Sequence, residues 1–127
     1  MQLSNITIND SVPVARVFTP TLNNNGKVMF QHDDLSVSVL LRASASTQTR
    51  VGSATEKRRA FSKIRVPFSY IDPNTSEESI RYNEWIVTEL FDQKSSQVNV
   101  EDTRALAMNY LATAIVTDAA ENGRHPY

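Results

Sequence analysis

Arg58–Ile71 reads RRAFSKIRVPFSYI, and its alternation organises the reading of the whole chain. Successive side chains of an extended strand point to opposite faces. Ala60, Ser62, Ile64, Val66, Phe68 and Tyr70 therefore share one face, and Arg59, Phe61, Lys63 and Arg65 share the other. The first face is apolar and needs protein against it. The second carries cations and an aromatic ring, which suits an anionic partner with flat rings, such as RNA.

Two more segments alternate in the same way. Asp34–Ser44, DLSVSVLLRAS, reads as a strand with Leu35, Val37, Val39 and Leu41 on one side and Ser36, Ser38, Leu40 and Arg42 on the other. Asn83–Phe91, NEWIVTELF, separates Trp85, Val87 and Glu89 from Ile86, Thr88 and Leu90. The latter three read as an apolar row facing a helix. By residue type alone Trp85 reads first as core and second as a stacking surface on the polar face.

Upstream, Leu3–Asn9 and Val12–Thr19 read as a hairpin about Asp10-Ser11, with Pro13 tolerated near the start of an edge strand. Pro20 to Gly26 reads as a loop closed by Asn25-Gly26, a strong turn signal. Lys27–Gln31 is a third short strand, and His32-Asp33-Asp34 turns the chain. Ala45–Glu56 is small and polar and reads as a loop or frayed strand ends. Asp72–Ser79, DPNTSEES, reads as a polar loop between two long strands.

After Phe91 the period changes. Asn99 is a good N-cap, with Glu101 and Asp102 in the first turn, where the helix dipole favours them. Leu106, Tyr110, Leu111, Ala114 and Ile115 recur at helical spacing. Gly123 marks the stop. The helix is either continuous or kinked near Ala112-Thr113.

This order makes an α+β protein: an N-terminal β-hairpin and an antiparallel meander, then a C-terminal helical region. It reads as one domain over residues 1–127, with the hairpin at 1–20, the sheet at 27–92 and the helical region at 99–121. A sheet with one apolar face needs a lid. One helix about 10 Å across shadows only about two strands spaced ~4.8 Å apart. The shortfall argues for a dimer, with Leu106, Tyr110, Leu111, Ala114 and Ile115 in the interface.

Composition narrows the function. The chain has 127 residues, no Cys and a formal net charge of −1. Without Cys there is no disulfide, thiolate metal site or thiol nucleophile. No apolar run approaches the length of a membrane span. The opening MQLSNITIND lacks a basic region followed by an apolar core, so no secretory leader is expected. Seven of the 13 Lys and Arg residues lie between Arg42 and Arg65, where Glu56 is the single acid, whereas ten acids follow from Asp72 onward. That segregation fits one cationic face on an otherwise neutral or acidic exterior.

Catalytic and metal constellations are not legible. His32 and His125 lack a spaced set of ligand partners. Glu77-Glu78 and Glu101-Asp102 read better as solvated or capping charge than as acid–base pairs. Three glycines leave no room for a phosphate-binding fingerprint. No catalytic residue, cofactor, metal or small-molecule substrate is expected.

The order, spacing and length, with motifs such as VSVLLRAS, SKIRVPF and NEWIVTELF and the ending ENGRHPY, resemble the coat proteins of single-stranded RNA (levivirus-like) bacteriophages. The resemblance covers nearly the whole chain. It implies an obligate homodimer whose sheets join edge to edge, with interlocked helices on the outer face and dimers building a quasi-equivalent icosahedral shell. It implies genomic single-stranded RNA on the inner sheet face, including a stem-loop acting as translational operator and packaging signal. The implied RNA-facing residues are Ser36, Ser38, Leu40, Arg42, Arg59, Phe61, Lys63, Arg65, Trp85, Val87 and Glu89. Glu89 would accept from a base amino group or pair with Lys63 or Arg65. Asp72, Pro73, Asn74, Thr75, Ser76, Glu77 and Glu78 would form a loop between dimers. The protein would reside in the virion, assembled in the bacterial cytoplasm. The alternative is a small cellular RNA- or single-stranded-DNA-binding module that does not assemble.

Overall fold

A computed structural model of the chain describes residues 4–12, 15–24, 26–50 and 57–124. It forms two compact units, Met1–Leu90 and Phe91–Tyr127. The first is a six-stranded sheet: β1 (Ile6–Asn9), β2 (Ala15–Asn24), β3 (Lys27–His32), β4 (Ser44–Arg50), β5 (Arg58–Ile71) and β6 (Glu78–Phe91). Spatial order follows chain order, so the sheet is a simple meander with β1 and β6 at its edges. Neighbouring strands from β1 through β5 pair antiparallel.

Of Asp34–Ser44, expected as a strand, only Ser44 is in one; Asp34 to Ala43 is not extended into the sheet. The Asp34 carboxylate accepts from the backbone N–H of Ser36 at 3.0 Å and from its hydroxyl at 2.6 Å. Val37 N–H then bonds the Asp34 carbonyl at 3.2 Å, and Leu41 N–H bonds that of Ser38 at 2.9 Å. Residues Val39–Leu41 wind into one 3₁₀ turn. Local Asp and Ser bonds compete with the ladder and here prevail over the apolar alternation. The expected strand-face placement of Ser36, Ser38, Leu40 and Arg42 falls with it. Arg42 turns back to donate from Nε to the Val37 carbonyl at 3.1 Å.

The strand lies one segment later, in SASTQTR, where a loop or frayed end was expected. β4 pairs on both sides, Ala45 with Phe30 and with Ile64. Two flanking ladders hold a segment whose own apolar signal is weak, and Thr47 and Thr49 suit extended backbone. The remainder of that expected loop, 51–56, lies outside the described residues, as do Leu3, Pro13, Asn25 and His125.

β2 also runs longer than expected, through Pro20 to Asn24. Pro20 has no N–H to give the ladder, and the register with β3 shifts between Pro20 and Leu22 to absorb the defect. Gly26 takes φ +81 in the turn that follows, a conformation that costs a side-chain-bearing residue. His32 ends β3 rather than sitting in a loop, and its ring lies 5.5 Å from that of buried Phe18.

β5 and β6 are joined by a tightly bonded turn. Asp72 N–H bonds the Glu77 carbonyl at 2.9 Å, Ser76 N–H bonds the Asp72 carbonyl at 2.8 Å, and the Asp72 carboxylate accepts from Asn74 N–H at 2.8 Å. Glu78 and Ser79, expected in the loop, already belong to β6, and the Ser69 hydroxyl reaches the Glu78 carboxylate at 2.6 Å.

The second unit is a helix pair, α1 (Gln97–Leu111) and α2 (Ala114–Asn122). Ser96, not Asn99, is the N-cap: its hydroxyl accepts from Asn99 N–H at 3.2 Å. Glu101 and Asp102 consequently fall beyond the first turn. The break comes at Ala112-Thr113, where Thr113 donates to the Tyr110 carbonyl at 2.8 Å. Gly123 closes α2 in the left-handed region at φ +65. No helix among the described residues is long and apolar enough to cross a membrane.

Candidate nucleic-acid interface

Cross-strand partners share a face, so the registers assemble the two faces directly. Ser44, Ser46, Gln48 and Arg50 of β4 stand beside Arg65, Lys63, Phe61 and Arg59 of β5. Gln31, Met29 and Lys27 of β3 continue the same face beside Ser44, Ser46 and Gln48. Arg59, Phe61, Lys63 and Arg65 are thus together on one surface, as expected. The polar row next to them comes from the unexpected strand β4.

At one end of this surface Gln48, Arg50, Arg59 and Phe61 line a hollow of about 210 Å³. Beside the directly paired Arg50 and Arg59, the Phe61 ring offers a base a stacking surface, and the two guanidinium groups offer its phosphates two cations. At the other end, β6 contributes. The Arg65 guanidinium carbon lies 3.5 Å from the centroid of the Tyr82 ring. Glu84 Oε1 is 2.9 Å from Lys63 Nζ and 4.0 Å from Arg65 Nε.

These contacts determine the phase of β6 and reverse the expected one. Tyr82 and Glu84 are on the cationic face, and alternation puts Ile86 and Thr88 there too. Trp85, Val87 and Glu89 point to the opposite face. The side-by-side contact of Arg81 with Tyr70, 4.6 Å from ring centroid to guanidinium carbon, agrees, since Tyr70 shares the face of Ile64 and Val66. The stretch Ile86–Leu90, IVTEL, gives no signal for phase, because both rows of β6 mix apolar and polar residues. Tyr82 lies just before the segment Asn83–Phe91, and Glu84 lies within it. An aromatic–acid pair in register with Lys63 and Arg65 was the signal available for them.

The opposite face is apolar and largely uncovered. Ile6, Phe18 and Phe30 belong to it through the pairs Ile6–Phe18 and Phe30–Ala45–Ile64. A hollow of about 250 Å³ is lined by Ile8, Phe18, Ala43, Ile64 and Val66, with the Asp10–Arg16 ion pair, 3.1 Å, contributing to its wall. Among the described residues of the sheet unit, only Phe18 and Ala43 are buried apolar residues. Trp85 is 44% exposed and Val66 40%. In the helical unit Leu106, Tyr110, Leu111 and Ile115 are also exposed, Leu106 at 72%.

The ionisation of Asp34 is displaced by its local hydrogen bonds. The Ser36 hydroxyl, then its N–H, bond the carboxylate and hold its pKa below the ordinary value. No three His, Asp or Glu side chains among the described residues converge as metal ligands would.

The fold and face define an α+β protein with a six-stranded antiparallel meander, one cationic and aromatic sheet surface, and a C-terminal helix pair. The sequence matches the family described as levivirus coat protein over residues 1–127, and the chain belongs to that family. It is a capsid protein, a component of the virion. Solved structures share the fold. One is a virus-like particle of bacteriophage AVE019, with TM-score 0.89 and 16% identity over 100% of both chains. A virus-like particle of Beihai levi-like virus 21 gives TM-score 0.83 and 21% identity, covering 100% of this chain and 99% of that one. A bacteriophage coat protein described as an unassembled, RNA-binding dimer gives TM-score 0.59 and 15% identity, over 97% and 96% of the two chains. Comparison with curated proteins found no match.

Proposed function

We propose that this chain is a structural, non-enzymatic shell subunit that acts as a homodimer and binds its own single-stranded RNA genome on the cationic sheet face. The observation that carries the reading is the gathering of Arg50, Arg59, Lys63 and Arg65 with the rings of Phe61 and Tyr82 on one side of one sheet. Phosphate contacts supply affinity, and rings and hydroxyls meet exposed bases. The RNA-facing set is then Ser44, Ser46, Gln48 and Arg50 with Arg59, Phe61, Lys63, Arg65 and Tyr82. It takes the place of the set that included Ser36, Ser38, Leu40 and Arg42.

The dimer follows from two exposed features. β6 is a sheet edge of 14 residues, and its sequence ESIRYNEWIVTELF contains no proline. A long edge with unpaired N–H and C=O groups is a template for another strand. Pairing with β6 of a second copy about a twofold axis meets that need. The second is the apolar sheet face, too thinly covered for a stable monomer, which the helices of the partner cover through Leu106, Tyr110, Leu111, Ala114 and Ile115.

Dimers then contact one another through the β5–β6 turn, Asp72 to Glu78, and through the segment ending in the 3₁₀ turn, where Leu35, Val39 and Leu40 are exposed. A stem-loop of the genome, with its loop bases splayed, is the RNA form best matched to the face. Binding it serves packaging and represses translation of the message that carries it, in the host cytoplasm. The shared fold with a coat-protein dimer described as RNA-binding supports the RNA partner.

Electron microscopy of recombinant protein tests the reading, together with nuclease-protected RNA measured in the particles. Closed shells containing RNA are expected. A small RNA-binding dimer that never assembles would favour the cellular-module alternative, and empty shells would sink the RNA assignment.

A further inference from the structure

The cationic face is not uniformly cationic. At the Phe61 end, the hollow is lined by Gln48, Arg50, Arg59 and Phe61, none of them an acid. At the Tyr82 end, a carboxylate stands among the cations. Glu84 Oε1 is 2.9 Å from Lys63 Nζ and 4.0 Å from Arg65 Nε, and the Glu84 side chain is 27% exposed. Arg65 is held besides against the Tyr82 ring. Two of the four cations named for RNA are therefore already engaged by an anion before RNA arrives.

A partly exposed ion pair is weak and exchangeable, so Lys63 and Arg65 are not locked away. Their value to a bare phosphate is nevertheless reduced, because the same approach brings a negative group toward Glu84. An unpaired base reverses the balance. Its amino and imino N–H groups donate to an ionised carboxylate, which only accepts. Its ring can stack on a guanidinium plane. In duplex RNA those base N–H groups are used in pairing, and what remains outside is chiefly phosphate and 2′-hydroxyl.

The geometry points to Glu84 as a selectivity residue, which withholds Lys63 and Arg65 from bare phosphate and rewards exposed bases, so that the face favours single-stranded or looped RNA over duplex RNA. The inference rests on the RNA-binding reading above and adds to it the residue that discriminates. Lys63 and Arg65 provide attraction; Glu84 sets the kind of RNA for which that attraction is realised.

The test uses the purified full-length dimer, a fluorescently labelled single-stranded RNA oligonucleotide of mixed sequence and a blunt RNA duplex of the same length. Each is titrated across a fourfold range of salt. The wild-type protein is expected to bind the single strand more tightly than the duplex. Glu84→Gln removes the charge and nearly preserves the shape. It should tighten duplex binding and steepen its log–log salt slope by about one unit, so that a fourfold rise in salt costs about fourfold more affinity than in the wild type. The single-strand preference should shrink accordingly. Glu84→Thr, with a good strand former, should move the preference the same way if Gln disturbs folding. An unchanged ratio of single-strand to duplex affinity in both variants overturns the role of Glu84 while leaving RNA binding intact. A wild-type dimer that binds neither RNA overturns the RNA-binding reading itself, and this inference with it.

Discussion

The guanidinium carbon of Arg65 lies 3.5 Å from the centroid of the Tyr82 ring, and this pair sets which side of β6 meets the cationic surface. Through strict alternation it also places Trp85 on the apolar face. A one-residue change of phase would exchange every side chain of the strand between RNA and protein partners.

Trp85 and Tyr82 should therefore separate two functions. Tyr82→Ala is predicted to weaken RNA binding by about 1–3 kcal/mol per stacked base lost, with dimer stability little changed. Trp85→Ala should instead cost about 3–5 kcal/mol of dimer stability if the partner buries the ring as expected. Trp85 is the single Trp, so its emission should shift blue on dimer formation and respond little to RNA. Strong RNA quenching with no sensitivity to dimerisation would contradict this placement.

Neutralising Lys63 and Arg65 together to Ala should weaken RNA binding and flatten its salt dependence by roughly 1–2 units of log–log slope. The lower end is expected, since Glu84 already offsets part of their charge. Filter binding at several salt concentrations, with RNA content of the particles, provides the check. Unchanged slopes would show that phosphates do not approach this end of the face.

Leu111 closes α1 and is exposed in the single chain. If the partner covers it, Leu111→Asp places a charge in an apolar contact at a cost of about 3 kcal/mol or more. Analytical ultracentrifugation at micromolar concentration should find dissociated or unfolded protein. A normal, fully stable dimer would remove Leu111 from the interface.

The β5–β6 turn should govern assembly without governing the dimer. Replacing Pro73-Asn74-Thr75-Ser76 by a shorter Gly-containing turn should leave a folded, RNA-binding dimer with altered or abolished shells by electron microscopy. Ser76 is the sole described non-glycine residue with positive φ, at +58. Ser76→Gly should accordingly be tolerated or stabilise by up to about 1 kcal/mol, as measured by dimer melting. Normal shells from the shortened turn would exclude it from contacts between dimers.

Asp34 predicts a pH signature. Its bonds from Ser36 lower its pKa in the folded state, so the stabilisation is present above the unfolded-state pKa and lost as pH falls through the lower folded value. The Ser36 amide resonance should titrate with a midpoint below that of an ordinary aspartate. Ser36→Ala should move the midpoint back upward by removing the hydroxyl donor, and an unchanged midpoint would exclude that bond in solution.

Local chemistry carried much of this protein. Alternation in Arg58–Ile71 determined β5 and joined Arg59, Phe61, Lys63 and Arg65 on one face, because a period of two allows no other arrangement in an extended strand. Helical spacing and the Gly123 stop were legible for the same reason: each depends on residues within a turn of one another. Whether the helix breaks at Ala112-Thr113 was left open by the sequence and is decided by the structure. Tertiary structure alone decided which segment became β4. DLSVSVLLRAS alternates better than SASTQTR, yet Asp34 and Ser36 bond locally while Phe30 and Ile64 hold Ala45 between them. It alone decided the phase of β6 as well. Both rows of that strand mix apolar and polar side chains, so intrinsic preference is nearly balanced, and the choice falls to contacts with residues about twenty positions away, Lys63 with Glu84 and Arg65 with Tyr82. Pairing across strands is a long-range property, and no window of sequence short enough to show a period contains both partners.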